Sequence, residues 1–121
     1  MWTYRQSDGE LSHDGTVVGT GYAGMPPDGK NNPDAQEIHD VGPLPRGTYT
    51  ILESRMDPKL GPCAMQLAPD PDNEMFGRSG FFMHADSAAH PGRASEGCIV
   101  LSMKLLGLVS VSQDRRLEVV R

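Results

Sequence analysis

The sequence predicts a mostly β domain with one short helix and long ordered loops over one face. Three observations carry that prediction. The chain has 121 residues, enough for one domain spanning 1–121 with a real core. It holds 14 glycines and 10 prolines, about a fifth of the chain against roughly 12% in ordinary proteins, and few long helices survive such punctuation. The stretches rich in β-branched and aromatic residues are short and bounded by Gly and Asp turns.

The opening reads as a meander. Trp2 to Arg5 is a strand, Ser7-Asp8-Gly9 a turn, Leu11 to His13 a second strand, and Asp14-Gly15 a second turn before a strand from Thr16 to Tyr22. From Gly24 to Pro45 the chain is rich in Pro, Gly, Asn and Asp without periodicity. A loop that long between strands in a compact domain reads as an ordered flap. Thr48 to Ser54 is the clearest strand, with Ala64 to Ala68 and Gly80 to Ala85 to follow. Ser102 to Val111 is expected to be a short helix with Ser102 as N-cap, although Gly107 weakens it. Arg116 to Arg121 closes the chain as a strand.

Composition excludes several classes of function. Hydrophobic residues are 37% and charged residues 22% of the chain, so neither disorder nor a membrane span is implied. The net charge of −5 and the scattered basic residues argue against nucleic acid as a partner. The longest apolar stretch, Leu105-Leu106-Gly107-Leu108-Val109, is too short for membrane insertion. Met1 to Arg5 lacks the apolar core and cleavage site of a signal peptide. Synthesis in the cytoplasm is therefore expected, with any action elsewhere requiring another machine for delivery.

Two cysteines do not make a disulfide framework, although one bridge between them is open. Cys63 sits in Gly-Pro-Cys-Ala-Met-Gln-Leu, where a small buried apolar residue serves as well. Cys98 follows Ser95-Glu96-Gly97 and precedes an apolar run, which is the setting of a nucleophile. A cysteine nucleophile needs a base for its proton and donors for the oxyanion. Gly97 and Ser95 are the candidate oxyanion and orienting positions, since the amides of Gly97 and Cys98 can converge on one carbonyl oxygen. Of four histidines, His84 ends an apolar strand and is the candidate base. Asp86, two residues on, shares its face if the strand continues, and would then orient the imidazole as a third member of a triad.

Met83-His84-Ala85-Asp86, followed after a short loop by Ala94-Ser95-Glu96-Gly97-Cys98-Ile99-Val100-Leu101, resembles the signature of YkuD-type L,D-transpeptidases. Gly29 to Pro33, Gly42 to Tyr49 and Gly77 to Phe81 resemble the divergent branch delivered into rival bacteria by type VI secretion. The likeness runs from about Trp2 to the C-terminus. It implies a β-sandwich catalytic domain with Cys98 in a cleft under long loops. It also implies a peptidoglycan stem tetrapeptide as substrate, cut or exchanged between meso-diaminopimelate and the terminal D-Ala. Cys98 would attack, His84 would take the thiol proton, and the acyl-enzyme would pass to water or to a D-amino acid. No cofactor or metal is implied. A toxic wall enzyme implies a cognate immunity protein and action in the target-cell periplasm. Tyr22, Asn31, Asn32, Arg46 and Arg78 fall in the matching segments as candidate substrate contacts.

The chain departs from the family pattern at Glu96, where many relatives have His, at Ala85, where they have Gly, and at Ile99-Val100-Leu101, where an Arg or Asn often follows the Cys. A carboxylate facing the sulfur would oppose a thiolate, so Glu96 is expected to point away from it or to pair with Arg93 or Arg78, and to be structural. Two other readings compete. His84, Asp86, His90 and Cys98 are possible ligands of a zinc peptidase, and the chain could instead be a non-catalytic wall-binding or secretion component.

Overall fold

The computed structural model describes residues 1–121. Nine strands and one helix follow one another along the chain. Strands β1 (Trp2–Arg5), β2 (Glu10–His13), β3 (Thr16–Thr20) and β4 (Tyr22–Ala23) precede the flap, in which Pro33–Ala35 forms a single 3-10 turn. Then come β5 (Gly47–Asp57), β6 (Gly61–Pro69), β7 (Phe82–His84), β8 (Ile99–Val100), helix α1 (Met103–Ser110) and β9 (Arg116–Val120). The first two strands of the meander, the flap, the helix and the closing strand stand where the sequence places them.

All nine strands form one sheet in the order β3-β2-β1-β9-β5-β6-β7-β8-β4. Pairing is antiparallel except for β1 with β9 and β7 with β8. The expected strand from Thr16 to Tyr22 is in fact two, and its halves lie at opposite edges of the sheet. A single residue, Gly21, separates them, so the sheet must curl until its two edges meet. The Gly21 amide donates to the Gly9 carbonyl at 2.8 Å, extending the β2–β3 pairing by one residue up to the crossing. A side chain at Gly21 would stand 2.2 Å from the Val100 carbonyl oxygen, which is why glycine occupies the crossing.

The enclosed space is filled by alternate residues of the strands and one face of α1. Trp2, Tyr4, Leu11, Tyr49, Ile51, Leu67, Leu117 and Val119 point inward from the strands, as a period of two requires. Leu105, Leu106 and Val109 face them from the helix, each contributing roughly 1.5–3 kcal/mol by burial. Ser102 caps that helix by accepting from the Leu105 amide at 3.2 Å.

Two strands exceed or escape the expected bounds. The β5–β6 hairpin runs well past the core, and Leu52 to Met56 are exposed. Its tip, with Asp57 accepting from the Lys59 and Leu60 amides at 2.9 Å, reaches over the same side of the sheet as the flap. Strand β8 is two residues long, yet its parallel pairing with β7 places His84 opposite Val100 and Met83 opposite Ile99. Cys98, one residue before β8, therefore lies beside Phe82 and diagonal to His84.

Candidate active site

Cys98 and His84 line one cleft of about 620 Å³, walled by the flap, the hairpin tip and the loop from Arg93 to Cys98. The sulfur is held by backbone groups. The Phe82 amide donates to Sγ at 3.4 Å, and the thiol reaches the Gly80 carbonyl at 3.8 Å. Cys63 packs half-buried against the core with its thiol on the Leu106 carbonyl at 3.7 Å, and both cysteines are free.

His84 is buried, and its Nδ1 lies 2.8 Å from the Ala85 carbonyl oxygen. A carbonyl can only accept, so Nδ1 carries the proton and Nε2 presents a lone pair. Burial pushes the His84 pKa below its ordinary value, against the Ala85 bond and the charges of Asp86 and Asp57, which favour the cation. Burial likewise pushes the Cys98 thiol up, as does the Glu96 charge, while the Phe82 amide and Arg78 pull it down. The resting pair is therefore a thiol and a neutral imidazole, not a preformed ion pair.

Asp86 does not orient the imidazole. Its Oδ1 accepts from the Tyr22 hydroxyl at 2.7 Å and the Ser87 amide at 2.8 Å, and its carboxylate also takes the Gly92 amide. The strand stops at His84, so the period-two expectation fails beyond it and the Ala85 carbonyl does the orienting. Tyr22 also accepts from the Ala94 amide at 2.9 Å. Tyr22 and Asp86 together pin the loop that leads to Cys98.

Ser95 and Gly97 are placed differently from the expectation as well. The Ser95 hydroxyl is buried, accepts from the amides of Gly24 and Gly97 at 2.9 and 3.0 Å, and donates to the Cys98 carbonyl at 2.6 Å. The Gly97 amide is thus already used and cannot serve an oxyanion. One amide does donate to the sulfur, that of Phe82.

The five candidate substrate contacts divide sharply. Asn31 accepts from the Ala23 amide at 3.3 Å, and Asn32 caps the 3-10 turn by accepting from the Asp34 amide. Arg46 donates to the fully buried Gln6, which in turn donates to Gln36 of the flap and to the Leu44 carbonyl. With Tyr22, these residues fix loops, and of the five only Arg78 lines the cleft. Glu96 is exposed and forms no ion pair with Arg93 or Arg78; Arg78 takes its carbonyl instead, at 3.1 Å. The hairpin-tip residues Asp57, Lys59 and Leu60 complete the cleft. No local signal marks them, because they arrive only through the length of β5 and β6.

The zinc reading lacks its donor set. Asp86 is turned to Tyr22, His90 is exposed, and His84 gives Nδ1 to a carbonyl. The His and carboxylate groups whose ligand atoms do converge are His13, Asp14 and Asp114, within 4.8 Å of one another. That cluster is at the first hairpin and is bridged by the ammonium of Met1, 2.6 Å from Asp14 and 2.7 Å from Asp114.

This fold is that of an L,D-transpeptidase domain. The chain superposes on an L,D-transpeptidase from Mycobacterium smegmatis with a TM-score of 0.56 and 21% identity, covering 99% of this chain and 58% of that one. It thus spans little more than half the length of that relative. No curated protein matches the sequence. Residues 18–106 match the Tlde1 domain, and the chain belongs to that family, the L,D-transpeptidase effectors of type VI secretion. At the family level these are peptidoglycan-modifying effectors. No helix is long and apolar enough to cross a membrane.

Proposed function

We propose that the chain is a cysteine L,D-transpeptidase and L,D-carboxypeptidase acting on peptidoglycan stem tetrapeptides, with Cys98 as nucleophile and His84 as base. The observation that carries this reading is the pair itself: a thiol and a neutral imidazole with a free Nε2 line one cleft in a chain of the Tlde1 family.

Sγ attacks the carbonyl between meso-diaminopimelate and the terminal D-Ala while Nε2 takes the thiol proton. The oxyanion then develops beside the sulfur, and the amides of Phe82, which donates to Sγ, and of Cys98 are its proposed donors. Collapse breaks the C–N bond, and the imidazolium returns its proton to the departing amine of D-Ala. The thioester is resolved by water, whose proton passes to Nε2, giving the shortened peptide and the thiol. An incoming D-amino acid amine resolves it instead by exchange. Both outcomes remove donors for cross-linking, which fits an antibacterial toxin acting in a rival's periplasm and restrained at home by an immunity protein.

Incubation with a purified disaccharide-tetrapeptide, read by mass spectrometry with and without an added D-amino acid, tests the reaction. Loss of one D-Ala, or its replacement, is expected from the native chain and from neither Cys98→Ala nor His84→Ala, because nucleophile and base act as one unit. Turnover by either variant refutes the assignment of roles. Periplasmic expression is expected to be toxic, and relieved by Cys98→Ala.

A further inference from the structure

Arg78 is a buried cation without an anion. It is 6% exposed, and none of the molecule's ion pairs includes it. Its guanidinium is held by four carbonyls instead. Nη1 donates to Gln36 at 2.5 Å and Pro43 at 2.9 Å, and Nη2 to Gly42 at 2.8 Å and Glu96 at 3.1 Å. The Phe81 ring lies beneath it, 5.1 Å from the guanidinium carbon. Burying an ion costs several kcal/mol, and carbonyl dipoles offset that cost without neutralising the charge. A structural tie between loops could be made with neutral donors. The positive charge itself needs an account.

The four carbonyls belong to two pieces of chain. Gln36, Gly42 and Pro43 are in the flap, and Glu96 is two residues before the nucleophile. A Cβ built on Gly97 would stand 2.7 Å from Nη2 and 2.7 Å from the Phe81 ring, so the guanidinium lies directly against the backbone preceding Cys98. It also lines the cleft that Cys98 lines. Beyond Cys98 and His84, the other ionisable side chains of that cleft, namely His39, Asp40, Asp57, Lys59, Arg93 and Glu96, are all at least partly exposed to water, and His84 rests neutral. Water screens the exposed charges far more than a buried one.

We propose that Arg78 is a positioning residue with a fixed charge: it ties the flap to the nucleophile loop, and its unpaired guanidinium offsets the negative charge that forms at Cys98 Sγ and passes to the attacked carbonyl oxygen. The proposal rests on the reading of Cys98 as nucleophile. Its energetic logic is preorganisation, since the cation is in place before the anion exists. The mutual influence of the two groups agrees: Arg78 draws the half-buried thiol down, and Cys98 favours the charged guanidinium.

The test is the pH dependence of Cys98 alkylation by iodoacetamide, followed peptide by peptide by mass spectrometry so that Cys63 is read separately. In Arg78→Gln the thiol is expected to titrate at least about half a pH unit higher, alkylating roughly threefold slower near neutrality. In Arg78→Lys the charge remains and the fork is lost. Its thiol titration should stay close to the native one while hydrogen exchange at the Val41, Gly42 and Leu44 amides quickens. An unchanged titration in Arg78→Gln overturns the proposal and leaves Arg78 a structural clamp. If that variant does not fold, Arg78→Lys decides alone: a rise of half a unit or more with the charge retained also overturns it. Activity retained by Cys98→Ala would refute the proposed function without touching the thiol titration, so the two failures are distinct.

Discussion

At the scale of single residues, the candidate site is governed by which hydrogen-bond groups are already used. Ser95 consumes the Gly97 amide, the Ala85 carbonyl fixes the His84 tautomer, and Arg78 takes the Glu96 carbonyl and leaves its carboxylate in water. An exposed carboxylate near the sulfur acts only through a screened field, which disfavours the thiolate. Glu96→Gln should therefore change kcat by no more than about tenfold, or roughly 1.4 kcal/mol of barrier, and should make Cys98 alkylation faster rather than slower. A loss of about a hundredfold or more would instead mark Glu96 as a general acid or base. The depressed His84 pKa fixes the acid side. Activity should fall with pH only below the ordinary histidine value of about 6.5, as Nε2 is protonated. Stability follows the same sign. Below about 6.5 the unfolded chain takes up a proton that the buried imidazole resists, so folding weakens from there down to the folded pKa. His84→Gln should flatten the urea-denaturation midpoint across that window, and an unchanged slope would count against the buried neutral ring.

Among the elements, what was legible in the sequence tracks how local its cause is. The helix was readable because its N-cap and its buried Leu105, Leu106 and Val109 lie within one turn or two of each other. The His84 and Cys98 positions were readable because a strand end and a Gly-Cys step announce themselves in a few residues. The outer end of β5 was not, because Arg55-Met56-Asp57 has no β signal and is held by its pairing with β6. Strand β8 was too short to see, and Asp86 shares the His84 face only if β7 continues past His84, where it stops. Gly107 is the one residue that argues against α1. A Cβ there would meet nothing within 4 Å, so the glycine costs helix propensity and fills no packing need. Gly107→Ala should raise stability by about 0.5–1 kcal/mol, seen as a higher melting temperature with kcat unchanged. A lower melting temperature would show that the glycine has a role in the helix which its surroundings do not reveal.

Across the whole molecule, the sheet is one object because its edges meet at Gly21. The chain leaves β3 at one edge and enters β4 at the other with a single residue between them, and β4 pairs with β8 through Tyr22 with Val100 and Ala23 with Ile99. Strand β8 follows Cys98 directly, so the seam that closes the fold also supports the Cys98 position. A methyl group at Gly21 would press on the Val100 carbonyl oxygen at 2.2 Å and the Leu101 side chain at 2.7 Å. Backbone cannot yield as a flexible side chain can, and forced overpacking costs about 1–3 kcal/mol. Gly15→Ala provides the contrast. Gly15 has φ +85° with nothing within 4 Å of an added Cβ, so alanine there meets only the left-handed backbone penalty of about 1–2 kcal/mol, in a turn remote from Cys98. Both variants should lower the urea midpoint. Because the seam joins both edges, Gly21→Ala should do so in one transition with the native m-value, not by peeling off a strand. It should also lower kcat and change the rate of Cys98 alkylation, whereas Gly15→Ala should leave both alone. Equal losses of activity in the two variants, or a native midpoint in Gly21→Ala, would show that the seam does not couple closure of the sheet to the site.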